Sequence, residues 1–200
     1  MEVNAKDKSR RRILKGLAAG TAVASIPAKS VWANTVTTSI VASGQGSSNL
    51  TTQCLAVLSP GYYKNHSGWP SHESFYYIFG GDLIGTADTN TSTSELRSVT
   101  LQDVLDAPGG GGTLKVSNNK SKLGGPSNVN YFLVAIYANA YMSGSNDLWF
   151  PVADPSSGGA YSTPEAYARD LYSDAKWNTY AVADEMSNFI DDNHVGNVCQ

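Results

Sequence analysis

Whatever this chain folds into is built from residues after position 33, because the first 33 are organised for something other than packing. Ser9-Arg10-Arg11-Arg12-Ile13-Leu14-Lys15 sets paired arginines before a weakly apolar stretch, Gly16 to Ile26. Pro27 then breaks any helix, and Val31-Trp32-Ala33 supplies small-residue chemistry for cleavage before Asn34. Basic, apolar and cleavage regions in that order are those of a signal peptide, and the twin arginines point to the Tat route. The competing reading is a basic helix on the folded domain. The apolar run is about eleven residues rich in Ala and Gly, against the roughly 20 needed to span a bilayer, so no membrane span is expected. The Tat translocase is the expected partner during export. The expected location is the periplasm, the cell surface or the extracellular space.

Removing residues 1–33 changes the electrostatics. Seven of the 14 Lys and Arg residues leave, but only Glu2 and Asp7 of the 17 acids, so the remainder carries a net charge of −8. That balance argues against nucleic acid and anionic lipid as partners. The remaining 167 residues are enough for one domain with its own core. Charged residues are sparse, while Asn, Ser, Thr, Gly and Tyr are plentiful and all eleven tyrosines remain. Such a composition is common on extracellular assembly and adhesion proteins. Two cysteines, Cys54 and Cys199, lie near the ends of the folding part. In an oxidising space the simple reading is a disulfide tying those ends together, and free buried thiols or an intermolecular bridge are the alternatives. A loop of about 145 residues closed in this way would stabilise by roughly 4 to 5 kcal/mol on the chain-entropy model.

Three regions follow from the punctuation: a removable signal at 1–33, an extended β-prone arm at 34–50 and a single domain at 51–200. The arm carries Thr35, Val36, Thr37, Thr38, Ser39, Ile40 and Val41, a β-branched run too short and isolated to bury itself. It is expected to be disordered, to dock as an edge strand, or to be donated to a neighbour. Phe75 to Phe79, then Gly80-Gly81 and Asp82-Leu83-Ile84, read as a β-hairpin, and residues 86–94 as a Thr/Ser/Asn loop. Thr100 can cap a short helix to Asp106, stopped by Pro108. The glycine run 109–112 reads as a linker. Ser127 or Asn128 opens a helix over Val129 to Met142, with Phe132, Leu133, Ile136 and Ala140 on one side and Gly144 after it. Thr163-Pro164-Glu165 starts a helix to about Trp177. A last helix, Tyr180 to Asp191, carries Val182, Met186, Phe189 and Ile190 inward. The expected fold class is therefore α+β, helix-rich with a minor β-hairpin portion.

Chemistry-bearing residues concentrate in Ser59-Pro60-Gly61-Tyr62-Tyr63-Lys64-Asn65-His66-Ser67-Gly68-Trp69-Pro70. Tyr62, Tyr63, Lys64, Asn65, His66 and Trp69 are candidate ligand-binding residues, for sugar stacking on the aromatics or for a divalent metal. His66, His72 and Glu73 could supply three N/O ligands, although their spacing does not share one helical face. The preferred alternative is structural: the aromatics pack, and Lys64, Asn65 and His66 hydrogen-bond a turn-rich segment in place. No metal or cofactor is expected. Gly109 to Gly112 lacks the Gly-Lys-Ser/Thr ending of a phosphate loop. There is no Gly-x-Ser-x-Gly elbow, no Asp-x-Asp-x-Asp-Gly calcium loop and no cysteine cluster.

Cys54, Ser59-Pro60-Gly61-Tyr62-Tyr63-Lys64-Asn65-His66 and Trp69-Pro70 together resemble a secreted bacterial module with a Cys…(T/S)-x-GYWKNH…WP signature. Thr100 to Pro108 is similar to that module's L-x-x-(I/V)-L-x-x-P helix. Tyr131 to Gly144 is similar to its Ala- and Asn-containing helix. Phe189 to Cys199 is similar to its L-D-x-(F/Y)-N-x-G…C tail. Tyr63 replaces the module's usual Trp, and its GPGHC ending is reduced to Gly196-Asn197-Val198-Cys199. The resemblance implies pairing of Cys54 with Cys199, an exported or cell-surface setting and no established enzymatic activity.

The expectation is an exported structural or interaction protein, a cell-surface, matrix or filament subunit that self-associates or meets other surface proteins. It is not expected to be an enzyme. The alternatives are a glycan- or metal-binding module built on Tyr62 to Trp69 and, behind it, a periplasmic hydrolase.

Overall fold

The computed structural model describes residues 56–109, 111, 113–116, 122–145, 148–150, 152–153 and 160–195. The signal expected at 1–33, the arm expected at 34–50 and both cysteines lie outside the described residues. The elements are α1 (Pro60–Asn65), α2 (Phe75–Phe79), β1 (Thr86–Ala87), α3 (Thr93–Ser98), α4 (Leu101–Asp106), β2 (Thr113–Leu114), a 3-10 turn (Pro126–Asn128), α5 (Val129–Met142), α6 (Pro164–Trp177) and α7 (Thr179–Asp192). The protein is a helix-rich α+β fold with a small β portion.

The centre is α5. Its buried residues run around the whole helix, from Val129 and Asn130 through Leu133 to Ala140. A helix apolar on all sides must be covered on all sides, and α1, α4, α6 and α7 cover it. The sequence pattern implied one apolar face of Phe132, Leu133, Ile136 and Ala140; the last three are buried and Phe132 only partly so, while Val134, Ala135 and Ala138 on the opposite side are buried as well. Around this axis α6 and α7 are amphipathic. The first buries Tyr167, Ala168, Leu171, Tyr172 and Ala175, and the second Val182, Ala183, Met186, Phe189 and Ile190.

Helix starts follow local chemistry. The Thr163 hydroxyl accepts from Ala166 N–H at 3.1 Å, and Pro164 takes the first helical position. Thr100 and Asp103 form a reciprocal capping box on α4, as Ser92 and Glu95 do on α3. The first described residues close the body: Ala56 pairs with Trp149 by two backbone hydrogen bonds of 3.1 and 3.2 Å, and Val57 N–H donates to Asn193.

The β-hairpin over 75–84 does not form. Phe75–Phe79 is helical, with the Ser74 hydroxyl accepting from Tyr76 N–H and Gly80 closing the helix in the left-handed region at φ 71°. Burial explains the outcome. Phe75, Ile78 and Phe79 are buried while Tyr77 is 70% exposed, which is the i, i+3, i+4 spacing of a helix rather than strand alternation. The β portion lies instead in two short parallel strands paired Thr86↔Thr113 and Ala87↔Leu114. Residues 86–94, read as loop, contain β1 and the start of α3. Pro60 starts a helix where a turn-rich segment was expected.

Helical and extended geometry at 75–79 give opposite mutational outcomes. Ile78→Ala should cost about 2–5 kcal/mol in urea unfolding, and Tyr77→Ala should stay within about 0.5 kcal/mol.

Candidate functional site

The GYYKNH…WP segment is organised by a residue far away in sequence. Asn139, fully buried in α5, accepts from Leu58 N–H at 2.7 Å and from the Tyr63 hydroxyl at 2.9 Å through its Oδ1. Its Nδ2 donates to the carbonyls of Leu58 and Ala135, both at 2.9 Å. All donor and acceptor capacity of that amide is used, as burial in an apolar helix requires. Tyr63 is drawn into the core, where Trp69 meets it edge-on at 5.7 Å and 68°. The Trp69 Nε1–H donates to His66 O at 3.0 Å and folds residues 66–69 back onto α1.

The remaining candidates face outward. Tyr62 is half-buried and stacks on His66 with ring centroids 3.8 Å apart and planes 7° from parallel. The Nδ1 of His66 lies 2.7 Å from Tyr62 O, a spacing in which Nδ1 carries the proton and donates. Asn65 Nδ2 donates to Gly61 O at 3.0 Å. Gln102 Nε2 donates to Lys64 O and ties α1 to α4. Lys64, Asn65, His66, His72 and Glu73 are exposed. Among the described residues no group of three His, Cys, Asp or Glu side chains converges for a metal, so His66, His72 and Glu73 are not brought together as a ligand set. The segment combines two aromatics committed to the core with an exposed polar fringe.

A second buried amide works at the other end of α5. Asn130 Oδ1 accepts from Ile84 N–H at 3.0 Å, and its Nδ2 donates to the carbonyls of Ile84 and Leu123. This holds the turn 82–85, which borders a shallow cleft of about 230 Å³ lined by Asp82, Leu83, Ile84, Gly85, Tyr172 and Lys176. Tyr172 donates its hydroxyl to Asp82 O at 2.5 Å, and burial together with nearby Asp82 pushes its phenol up to about 12. Lys176 Nζ sits 5.6 Å over the Tyr172 ring, and the Asp82 carboxylate is taken by Arg97 at 2.7 Å. The cleft therefore offers one ammonium and a few peptide groups on an otherwise self-satisfied wall.

Sequence reasoning did not single out Asn130 or Asn139. The signal was present, since an amide inside a continuous apolar helix must find partners within the protein. It also passed over the exposed aromatics Trp177 and Tyr180, which flank the α6–α7 junction at 88% and 67% exposure.

Asn139→Ala should strip partners from Leu58 N–H and the Tyr63 hydroxyl, at about 1–3 kcal/mol for each orphaned group, whereas His66→Ala should leave urea stability nearly unchanged. A second expectation concerns alkali. Burial is the first cause holding the phenols of Tyr63, Tyr137, Tyr161 and Tyr167 above their ordinary value. Unfolded tyrosine ionises near pH 10. A raised folded value therefore gives stability that is complete below about pH 10 and is lost as pH rises beyond it. Circular dichroism should show unfolding setting in above about pH 10, with a shallower fall for Tyr63→Phe. No family model, no curated protein and no solved structure matches this chain.

Proposed function

We propose that the chain is an exported structural or interaction protein, a subunit of a cell-surface, matrix or filament assembly that works through protein–protein contact. The observation that carries the reading is the pair Trp177 and Tyr180, large aromatics left in solvent on either side of the α6–α7 junction. Trp and Tyr are the side chains that most often anchor protein interfaces. The low charge density and the Asn/Ser/Thr/Tyr composition of the rest of the chain suit such contacts.

In the sharper form, Thr35 to Val41 enters a neighbouring copy as a strand. The outer edge of β1 supports this. In the parallel register with β2, Asp88 N–H donates to Leu114 O. That register turns the Ala87 peptide groups away from β2. Thr86 and Ala87 are both exposed, and such an edge accepts an added strand.

The ligand-binding alternative is less well supported, because Tyr63 and Trp69 point into the core and Tyr62, half-buried, already stacks on His66. Export by the twin-arginine route is part of the proposal and rests on the signal-like residues 9–33.

Size-exclusion chromatography and negative-stain electron microscopy on residues 34–200, with and without 34–50, test it. Large oligomers or filaments that need the arm are the expected result. Trp177→Ala with Tyr180→Ala should weaken assembly at least tenfold without altering the fold. A monodisperse monomer in every case would sink the reading.

A further inference from the structure

We infer that Asn90 is a glycan acceptor, modified with an N-linked oligosaccharide once the chain is outside the cytoplasm; the inference rests on the export reading above. The chain holds four Asn-x-Ser/Thr triplets, at Asn49, Asn65, Asn90 and Asn119. A composition so rich in Asn, Ser and Thr produces some by chance, so the triplet alone decides nothing. Asn90 differs from the other three in sequence, for Asp88-Thr89-Asn90-Thr91-Ser92 carries an acid two residues before the asparagine. That is the extended Asp/Glu-x-Asn-x-Ser/Thr form that the more selective bacterial oligosaccharyltransferases take. At the same place the other triplets carry Ser47, Tyr63 and Ser117.

Geometry separates Asn90 further. A chain exported after folding can be modified only where its folded surface offers the amide. Thr91 N–H donates to Asp88 O at 2.9 Å, so residues 88–91 form a turn with Asn90 at its tip. Asn90 is exposed, as are Thr89 and Ser92, and its side chain makes no hydrogen bond among the described residues. Asn65 is the opposite case. It lies in the last turn of α1, its amide is spent on Gly61 O, and the helix fixes the backbone that an enzyme would have to wrap. Asn49 and Asn119 lie outside the described residues. The Asp88 carboxylate is kept ionised by Lys115, 3.3 Å away, and its side chain remains partly exposed. Ser92, the hydroxyl member of the triplet, is exposed at the N-terminal end of α3, where a capping box with Glu95 holds it, so Asn90 lies in the turn before the helix and not inside it.

The chemistry balances with a lipid-pyrophosphate-linked oligosaccharide as donor. The Asn90 Nδ2 forms a bond to the anomeric carbon of the sugar, the bond from that carbon to the phosphate oxygen breaks, and lipid pyrophosphate leaves. The amide gives up one proton, which passes to a carboxylate of the transferase and on to water. Nothing is oxidised or reduced, and the catalyst is the host's membrane oligosaccharyltransferase.

The test takes the full chain in its own host and reads its compartment by fractionation and the mass of the peptide spanning residues 88–92. Export with a sugar mass on Asn90, absent in Asn90→Gln and kept in Ser92→Thr, is the expected result. Export with Asn90 bare overturns the site and leaves the export reading standing. Retention in the cytoplasm with Asn90 bare overturns both. Acceptor chemistry is checked separately with the purified folded chain, a purified bacterial oligosaccharyltransferase and a lipid-pyrophosphate heptasaccharide. No transfer to Asn90 there overturns the site whatever the location.

Discussion

The four hydrogen bonds of the Asn139 amide are what the rest of the structure is arranged around. A carboxamide buried in an all-apolar helix is tolerable only if every lone pair and N–H is matched. Asn139 meets that condition by taking both backbone groups of Leu58, the Tyr63 hydroxyl and the carbonyl one turn back in its own helix. The consequence reaches far along the chain. The segment before α1 is fixed in register against α5, and α1 must present Tyr63 inward. Trp69 then packs edge-on against Tyr63. Asn130 repeats the device nine residues earlier and holds the 82–85 turn. The central helix thus uses apolar burial for cohesion and two amides for position.

This arrangement changes the meaning of the aromatic and polar residues that crowd residues 59–70. A cluster of Tyr, Tyr, Lys, Asn, His and Trp looks like a binding site when written as a line. Folded, it divides. Tyr63 and Trp69 belong to the core, Tyr62 and His66 cover it as a stacked pair, and the amide of Asn65 closes the helix end. Among the described residues the large aromatics most open to solvent lie elsewhere, at Tyr77, Tyr141, Trp177 and Tyr180.

Local rules carried the sequence reading well where chemistry between near neighbours decides the outcome. Thr100 and Thr163-Pro164 came out as expected, because a cap or a first-turn proline acts within a few residues; the α5 limits at Val129 and Met142 also agree, although Asn128 makes no side-chain cap there. The strand expected at Phe75–Phe79 is a helix instead: five apolar residues fit a strand or a buried helix turn equally, and only packing against α6 chooses. The parallel pairing of β1 with β2 joins residues 27 apart and leaves no local trace. The capping box Ser92-x-x-Glu95 was legible but lay inside a run of Thr and Ser that reads as loop. As for the candidate site, its residues were found together by sequence, while which of them turn inward depends on Asn139, 76 positions from Tyr63.

The exposure of Trp177 gives the molecule an optical property of its own. Beyond the signal-like segment the chain has three tryptophans, of which Trp69 is buried, Trp149 half-buried and Trp177 88% exposed. Their indoles therefore emit from three different polarities. Trp177 supplies the long-wavelength edge and is the one that a water-borne quencher reaches first. Light from that single side chain reports whether the α6–α7 corner is wet or covered, without any label being added.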